Sequence, residues 1–312
     1  MSRPRYLMGI DGGGSAVRVV IVTPDLAIHG QSEGPTANPS VVGREAAAQT
    51  IQIAMRQALG AAGLSPDQIA AAGIGVAGAA EAHSAAWLRG VVGAVLPGAR
   101  VAPSADYETA LVGAFGERRG VLVLAGTGSL AYGVNDAGQS ALVGGWGYLI
   151  GDEGSGYWIG REGLRAVVRA GDGRGPATAL TRPLLDALQL ATPRDLIPWL
   201  YGSVPVPTRD VANLAPLVLA GAAAGDAVAG EIVSRAAEEL AQAAWAVARR
   251  LGIDRPWLAF AGGLLTSPNP LSQALCDRLG LSALPLPRHP PVIGAAILAR
   301  PLLDEEPDPV EG

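Results

Sequence analysis

The chain contains no lysine, and all 23 of its basic residues are arginines. A Walker A loop requires a lysine on the nucleotide phosphates, and Schiff-base catalysis requires a lysine amine. Both classes of site are therefore excluded. Any nucleotide bound by this chain must be held by backbone amides, hydroxyl groups and a metal ion.

Cysteine and histidine are also scarce. The single cysteine, Cys276, excludes a disulfide framework and any iron–sulfur or zinc site built from cysteines. His29, His83 and His289 lie far apart in the sequence and lack the spacing of a zinc site. Apolar stretches as long as a membrane span, about 20 residues, are interrupted by glycine or charge. We therefore expect a soluble cytoplasmic protein that does not associate with a membrane.

Charge is low and of the wrong sign for binding nucleic acid. Charged residues make up 16% of the chain and the net charge is −5, whereas a nucleic-acid-binding protein presents a basic face. Hydrophobic residues make up 49% of the 312 residues, enough for two domains with their own cores. These values favour a two-domain protein and argue against a nucleic-acid binder.

One glycine-rich element occurs twice. Residues 6–15 and residues 120–129 each consist of an apolar run and a glycine-rich corner that ends in serine. A second apolar stretch follows each copy, so the pattern predicts two strands joined by a tight turn. Such turns direct backbone N–H groups into one concavity that can hold an anion. Two copies predict a two-lobed protein that holds a polyphosphate between its lobes.

The elements around these copies also repeat. Each half starts with three predicted strands and continues with alternating helices and strands, which indicates an α/β fold with a mixed sheet. We predict single helices at 42–60, 211–223 and 227–251, and the last is a candidate surface for a homodimer. The predicted domains are 1–117 with 291–303, and 118–290. The acidic, proline-rich tail 304–312 is predicted to be disordered.

Asp11 stands at the end of a predicted buried strand, directly before three glycines. A carboxylate there is well placed to bind a hydrated Mg²⁺ beside phosphates, because Mg²⁺ usually keeps waters and takes one or two protein carboxylates. The alternative is a turn aspartate that bonds to its own backbone.

Three motifs resemble the phosphate and adenosine motifs of the actin-like ATPase and sugar-kinase superfamily: residues 11–15, residues 126–129 and the segment Ala261-Gly262-Gly263. The run Gly144-Gly145-Trp146-Gly147 followed by residues 151–160 resembles, more closely, the N-acetylglucosamine kinase group of the BadF/BadG/BcrA/BcrD-type ATPases. The resemblance spans about residues 6–300. It implies two actin-like (RNase H-like) α/β domains with a nucleotide cleft between the lobes.

The resemblance also implies roles for individual residues. ATP would be bound by Gly13, Gly14, Ser15, Gly126, Thr127, Gly128, Ser129, Gly262 and Gly263, and Mg²⁺ by Asp11. The sugar would be bound by Asn38, Asp106, Gly145, Trp146, Gly147 and Asp152. Asp106 would be the general base that takes the proton from the sugar hydroxyl. The implied activity is ATP-dependent phosphorylation of an amino sugar, N-acetylglucosamine at its 6-hydroxyl.

Several of these residues have a structural alternative. Asp106 precedes a predicted helix and could cap it. Asp152 and Glu153 could be solvated surface or an N-cap, and the role of Glu153 is open. Trp146 could fill a gap in the core. Asn38 could be an ordinary turn residue before a proline.

Two features separate this chain from parts of the family. Ser15 stands where threonine is usual, although the hydroxyl is kept. The cysteines of the dehydratase activators and of the zinc-binding repressors are missing. The remaining alternatives are a kinase for glucosamine, N-acetylmuramic acid or a non-amino hexose, a non-catalytic ATP-binding regulator, and an ATPase that drives a partner protein.

Overall fold

Each half of the chain forms an open mixed sheet in which an antiparallel meander is extended by parallel strands. The computed structural model describes residues 6–14, 16–78 and 84–304. Ser15, His83 and residues 305–312 of the predicted tail lie outside the described residues. The chain divides into two compact units: unit 1 comprises residues 1–119 and 287–312, and unit 2 comprises residues 120–286.

The sheet of unit 1 has five strands in the order β3-β2-β1-β4-β5. Strand β1 pairs antiparallel with β2 and parallel with β4, and β4 pairs parallel with β5. The strands are β1 (Tyr6–Gly12), β2 (Ala16–Val22), β3 (Ile28–Pro35), β4 (Ile69–Val76) and β5 (Arg100–Ser104). The helices are α1 (Pro39–Val42), α2 (Arg44–Ala62), α3 (Ser84–Gly93), α4 (Asp106–Phe115) and α12 (Pro291–Ala299).

The last helix of the chain lies directly on the sheet of unit 1, because two strands carry glycine where it crosses. A Cβ atom added to Gly9 on β1 would lie 2.0 Å from the Val292 carbonyl oxygen, and one added to Gly73 on β4 would lie 1.8 Å from that of Ala295. No side chain fits at either position. This close approach completes the apolar core on that face of the sheet.

The sheet of unit 2 repeats the same plan with four strands in the order β8-β7-β6-β9. Strand β6 pairs antiparallel with β7 and parallel with β9, as β1 pairs with β2 and β4. The strands are β6 (Gly120–Ala125), β7 (Ser129–Val134), β8 (Ser140–Gly144) and β9 (Leu258–Ala261). The helices are α5 (Gly156–Gly171), α6 (Thr181–Ala187), α7 (Leu196–Leu200), α8 (Thr208–Ala212), α9 (Ala215–Ala223), α10 (Ala227–Arg250) and α11 (Pro270–Leu279).

One predicted helix is broken in the structure. The single helix predicted at 211–223 is wrong, because α8 ends at Ala212 and α9 starts at Ala215. Pro216 stands in the first turn of α9, where its missing N–H is tolerated. Inside a continuous helix the same proline would remove a hydrogen bond and clash with the preceding turn.

Helix α10 buries its apolar face inside unit 2. The buried positions include Ile232, Val233, Leu240 and Val247, which belong to the core shared with α5, α9 and the sheet. The apolar face on which the homodimer prediction was based therefore packs within the chain. The homodimer itself stays a prediction. No single described helix is long and apolar enough to cross a membrane, and only the joined segments Thr208–Ala223 and Ala227–Arg250, bent by 117°, meet that criterion.

Candidate active site

Asp11 is a buried strand residue. It lies in β1 opposite Arg18 of β2 and beside Gly75 of β4, and it is 6% exposed. The turn position considered as an alternative is therefore wrong. Burial, and to a smaller extent the charge of Asp106, raise the pKa of Asp11 to about 7 against the lowering effect of the Arg18 charge. Removal from water disfavours the charged form of a carboxyl group. A cation bound beside Asp11 would stabilise its ionised form.

Gly75 brings helix α4 to the carboxyl end of the parallel strands. A Cβ atom at Gly75 would lie 2.6 Å from Thr109 Cγ2 and 2.8 Å from the Ala105 carbonyl oxygen. Because Gly75 has no side chain, the first turn of α4 packs against β4 next to Asp11. This packing explains why Asp106 is close enough to Asp11 for the charge of one to raise the pKa of the other.

Asp106 is the first residue of α4 and does not act as its N-cap. The N-cap is Ala105, and no side chain caps the helix by a hydrogen bond. The hydroxyl of Ser104 donates instead to the Ile74 carbonyl oxygen at 3.1 Å. The capping role that was the alternative for Asp106 is therefore wrong. Burial raises the pKa of Asp106, although the backbone N–H groups of Tyr107 and of Asp106 itself lower it.

Gly13 and Gly14 lie in the turn between β1 and β2, and a Cβ atom at Gly14 would meet nothing within 4 Å. Asn38 is the N-cap of α1, where its Oδ1 accepts a hydrogen bond from the Ser40 N–H at 2.9 Å. A Cβ atom at Gly78, just past the end of β4, would lie 2.5 Å from that same Oδ1. The turn role that was the alternative for Asn38 is thus present, and it places the amide near the carboxyl end of β4.

Arg18 is a site residue that the sequence analysis missed. It lies opposite Asp11 across the β1–β2 pair and lowers the pKa of that carboxyl group. It also forms an ion pair of 3.1 Å with Glu33 on β3. The glycine turn at 12–15 could have revealed it, since a tight hairpin fixes which residues of the two strands face each other.

In unit 2, residues 126–128 form the turn between β6 and β7. The Gly126 N–H donates to the Gly128 carbonyl oxygen at 2.9 Å, and Thr127 is exposed. The first N–H groups of α5, those of Gly156 and Tyr157, donate to the carbonyl oxygens of Gly126 and Thr127 at 2.8 and 3.2 Å. These two N–H groups at the start of α5 therefore bind the turn and are not available to an anion. An anion at this turn would be bound by the N–H groups of Thr127 and Gly128 and by the Thr127 hydroxyl, because the Gly126 N–H already donates within the turn.

Asp152 ties the turn to the acidic loop that follows β8. A Cβ atom at Gly128 would lie 2.8 Å from Asp152 Oδ2. Burial raises the pKa of Asp152, while hydrogen bonds from the backbone N–H groups of Ser129 and Gly147 lower it. The Ser129 hydroxyl in turn donates to the Glu153 carbonyl oxygen at 2.7 Å. The predicted phosphate loop and the predicted sugar loop therefore form one hydrogen-bonded assembly.

Both structural alternatives for Asp152 are wrong. Asp152 is 9% exposed and is not solvated surface. The N-cap of α5 is Ser155, whose hydroxyl oxygen accepts from the Trp158 N–H at 3.1 Å. Asp152 has a φ of 59°, a strained value for a residue other than glycine, and such values persist where the surroundings enforce them. Glu153 is exposed.

Trp146 is on the surface of unit 2. Its side chain is 74% exposed, so the core-filling alternative is wrong. Gly145 and Gly147 on either side have φ values of 71° and 84°, which only glycine adopts readily. The loop holds the indole outward beside the segment that contains Asp152.

Gly262 lies against the end of β6. Its φ is 86°, and a Cβ atom there would lie 2.2 Å from the Ala125 carbonyl oxygen. The Leu264 N–H donates to that same oxygen at 3.2 Å, whereas Gly263 has open space around its Cα atom. The predicted adenosine motif and the turn 126–128 therefore share the carboxyl end of the β6–β9 pair.

The donor set for a metal in unit 1 is small. The described residues contain no group of three or more His, Cys, Asp or Glu side chains that could hold a metal ion. Asp11 and Asp106 are two carboxyl groups that repel each other in a largely buried setting. A hydrated Mg²⁺ fits this arrangement, because it needs only one or two carboxylates and keeps its other ligands as water.

The chain is similar to sugar kinases over most of its length. An N-acetylmuramic acid/N-acetylglucosamine kinase of Clostridium acetobutylicum is 33% identical over 302 residues, which cover 95% of this chain and 98% of the relative. A glucosamine kinase of Vibrio cholerae is 30% identical over 238 residues, which cover 75% of this chain and 78% of the relative.

A solved structure agrees with these relatives. A candidate N-acetylglucosamine kinase from Chromobacterium violaceum matches with a TM-score of 0.76 and 32% identity, covering 94% of this chain and 98% of the other. The predicted fold class, α/β with two actin-like domains, is confirmed. The model of the BadF/BadG/BcrA/BcrD ATPase family matches residues 8–299. The chain therefore belongs to the BadF/BadG/BcrA/BcrD ATPase family.

Proposed function

We propose that this protein is an ATP-dependent sugar kinase that phosphorylates an amino sugar, N-acetylglucosamine, at its 6-hydroxyl. Kinase activity on amino sugars is supported by the relatives, whose names specify N-acetylglucosamine, N-acetylmuramic acid or glucosamine. The structural observation that carries the proposal is the placement of Asp106, half-buried at the start of α4 and close to the buried Asp11 at the carboxyl end of the unit 1 strands.

Asp106 is the proposed general base. A raised pKa brings a carboxylate closer to the pH at which it works, and this improves its ability to accept a proton. In the proposed reaction the Asp106 carboxylate accepts the proton of the sugar hydroxyl while the hydroxyl oxygen forms a bond to the γ-phosphorus of ATP. The bond from that phosphorus to the β-phosphate oxygen breaks, and ADP leaves with the bonding electrons. Positioning and electrostatic stabilisation supply most of the rate in such transfers.

Asp11 is the proposed ligand of Mg²⁺. When bound, Mg²⁺ would neutralise charge on the phosphate oxygens. The supporting observation is the buried carboxyl with a pKa of about 7, a group that gains stability when a cation is placed beside it. Gly13, Gly14 and Ser15 are the proposed phosphate contacts of unit 1.

Unit 2 is the proposed nucleotide side, through Gly126, Thr127, Gly128, Ser129 and the pair Gly262-Gly263. Asp152 is a proposed sugar ligand together with Asn38, Gly145, Trp146 and Gly147. An ionised carboxylate has about four acceptor positions. The two backbone hydrogen bonds of Asp152 therefore leave acceptor capacity for a sugar hydroxyl.

The test is sugar-dependent release of ADP from Mg·ATP, measured with N-acetylglucosamine, glucosamine, N-acetylmuramic acid, N-acetylmannosamine and glucose. We expect the largest kcat/KM with N-acetylglucosamine and no turnover in excess chelator. A higher value for another amino sugar would correct the substrate while keeping the reaction. ATP binding without release of ADP on any sugar would favour a regulator instead.

The turn 126–128 offers a matched pair of variants. Gly126→Ala adds a methyl group into open space at a φ that any residue adopts, so the melting temperature should stay near the wild-type value. If phosphates approach this turn, that methyl group should weaken ATP binding by about tenfold, the value of one hydrogen bond to a charged group. Gly128→Ala places its methyl group against Asp152 and should also destabilise the fold, by about 1–3 kcal/mol.

Calorimetric titration with Mg·ATP and thermal melts separate the two effects. A Gly126→Ala variant with unchanged ATP affinity would show that phosphates do not approach the turn. The sugar affinity of Gly126→Ala is the control, because its methyl group meets no atom within 4 Å, whereas the methyl group of Gly128→Ala would contact the proposed sugar ligand Asp152.

A further inference from the structure

A polar cavity lies in unit 2, lined by residues outside the candidate active site. It has a volume of about 380 Å³ and lies between α5 and the first half of α10. Its charged lining consists of three arginines, Arg165, Arg169 and Arg235, and two glutamates, Glu162 and Glu231. None of these residues belongs to the proposed site for ATP and sugar. Three positive and two negative side chains give this cavity a net charge of +1 in a chain whose net charge is −5.

Glu162 is a carboxylate of the cavity lining that pairs with neighbouring arginines. Its side chain is 9% exposed and lies among three guanidinium groups, with distances of 3.0 Å to Arg165, 3.4 Å to Arg161 and 3.7 Å to Arg235. This cluster of four side chains includes Arg161, which does not line the cavity, and it has a net charge of +2. In the described structure the buried Nε of Arg161 also has no hydrogen-bond acceptor. Around Glu162, guanidinium N–H donors therefore outnumber the acceptors, and positive charges outnumber negative ones.

The arginines of the cavity make contacts that hold them in position, although the side chains of Arg165 and Arg235 are 65% and 55% exposed. The guanidinium carbon of Arg235 lies 5.2 Å from the centre of the Trp158 ring, within the range of a cation–π contact. Arg169 donates to the Arg174 carbonyl oxygen at 3.1 Å, and Arg165 to Glu162 at 3.0 Å. Each of these hydrogen bonds uses one nitrogen, whereas a guanidinium carries five N–H donors. Pre-positioned guanidinium groups of this kind match the oxygens of a phosphate.

We propose that this cavity binds the phosphate group of a small phosphorylated metabolite. Its volume lies within the range of small-molecule sites, about 300–1,000 Å³, and suits a sugar phosphate or a nucleoside monophosphate. Occupancy would be felt at the turn 126–128, because Glu162, Arg165 and Arg169 are on α5, whose first N–H groups hold that turn. The site goes beyond the proposed function and needs no kinase activity to exist.

The test is calorimetric titration of the full chain with inorganic phosphate, N-acetylglucosamine 6-phosphate and AMP, without ATP or free sugar. We expect Arg165→Gln/Arg169→Gln to weaken phosphate binding by about tenfold or more, the value of one charged hydrogen bond. Arg165 is 65% exposed, so loss of folding is not the expected cause, and melts will check this. Glu231→Gln should act in the opposite direction and tighten binding, because it removes a negative charge from the lining.

The matched control is Arg182→Gln/Arg209→Gln, which removes two exposed arginines of unit 2 away from the cavity. Control affinity should equal that of the wild type. Equal affinities in the cavity variant and the wild type, equal losses in the cavity and control variants, or no phosphate binding at millimolar concentration would each overturn the proposal. The metabolite that binds tighter and loses affinity in the cavity variant identifies the source of the phosphate. The titration measures binding and not turnover. A chain that binds phosphate here but releases no ADP in the kinase test would contradict the proposed function and leave this proposal intact.

Discussion

Replacement of Asp106 by asparagine is expected to lower kcat by about 10²–10⁴, the usual contribution of a positioned general base. Asparagine keeps the size of the side chain but cannot accept the proton of the sugar hydroxyl. The affinities for ATP and sugar should stay close to the wild-type values. The measurement is kcat with N-acetylglucosamine, taken with a melting temperature.

The structure makes this test sharper than the sequence could. Asp106 is not the N-cap of α4, since Ala105 has that position, so loss of a helix cap cannot explain a slow variant. Burial raises the pKa of Asp106, which means that the neutral asparagine should not destabilise the fold. A fall in kcat at an unchanged or higher melting temperature is therefore the expected signature of a base.

Glu108→Gln is the matched control. Glu108 lies in the same first turn of α4 and forms an ion pair of 2.6 Å with Arg118. Its loss should change stability slightly, by about 1 kcal/mol or less, and should leave kcat nearly unchanged. Near-normal turnover in Asp106→Asn, or equal losses in both variants, would remove Asp106 from the catalytic role.

Replacement of Asp11 by asparagine is expected to stabilise the folded chain at neutral pH and to abolish most of the activity. The pKa of Asp11 is raised from 3.8 to about 7, chiefly by burial and then by the charge of Asp106. Well below pH 3.8 the carboxyl group is protonated in both folded and unfolded states and costs no stability. As the pH rises, the unfolded chain loses this proton first, and the folded chain keeps it until about pH 7.

The wild-type free energy of unfolding should therefore fall as the pH rises from about 4 to about 7 and then level off, as far as Asp11 is concerned. From pH 5 to pH 6 the two states differ by nearly one proton, and near pH 7 by about half a proton. The resulting change in the free energy of unfolding from pH 5 to pH 8 is about 2–3 kcal/mol at 1.36 kcal/mol per pH unit. Asparagine does not titrate. The difference in stability between variant and wild type should thus grow by about that amount between pH 5 and pH 8, measured by urea unfolding without nucleotide or metal.

Two controls test the physical cause. In an Asp106→Asn background the repulsive charge is gone, so the same pH-dependent difference should become smaller. Millimolar Mg²⁺ should also reduce it, because a cation bound at Asp11 favours the ionised carboxylate. A pH-independent difference would show that Asp11 has an ordinary pKa, and full turnover of Asp11→Asn in excess chelator would end its assignment to the metal.

Local patterns determined much of this protein in advance. The apolar runs and glycine turns predict strands at 7–10, 17–22, 121–124 and 130–134, and β1, β2, β6 and β7 begin and end within two residues of these bounds. Strands and tight turns depend on residues that are neighbours in the sequence. The two copies, which start at residues 6 and 120, therefore predicted that the two halves share one architecture. The motifs 11–15, 126–129 and 144–160 predicted the family, which is confirmed.

The tertiary structure decided which side chains meet. Asp11 and Asp106 come together because Gly75 lets the start of α4 approach β4, and Asp152 packs on Gly128 because the loop after β8 folds back onto the turn after β6. Trp146 is exposed and Asp152 is buried although both stand among glycines in one loop. Contacts between residues far apart in the chain depend on strand register and on how closely helices approach a sheet. Neither depends on neighbouring residues alone, and so the sequence named the candidate residues while the packing set their pKa values and partners.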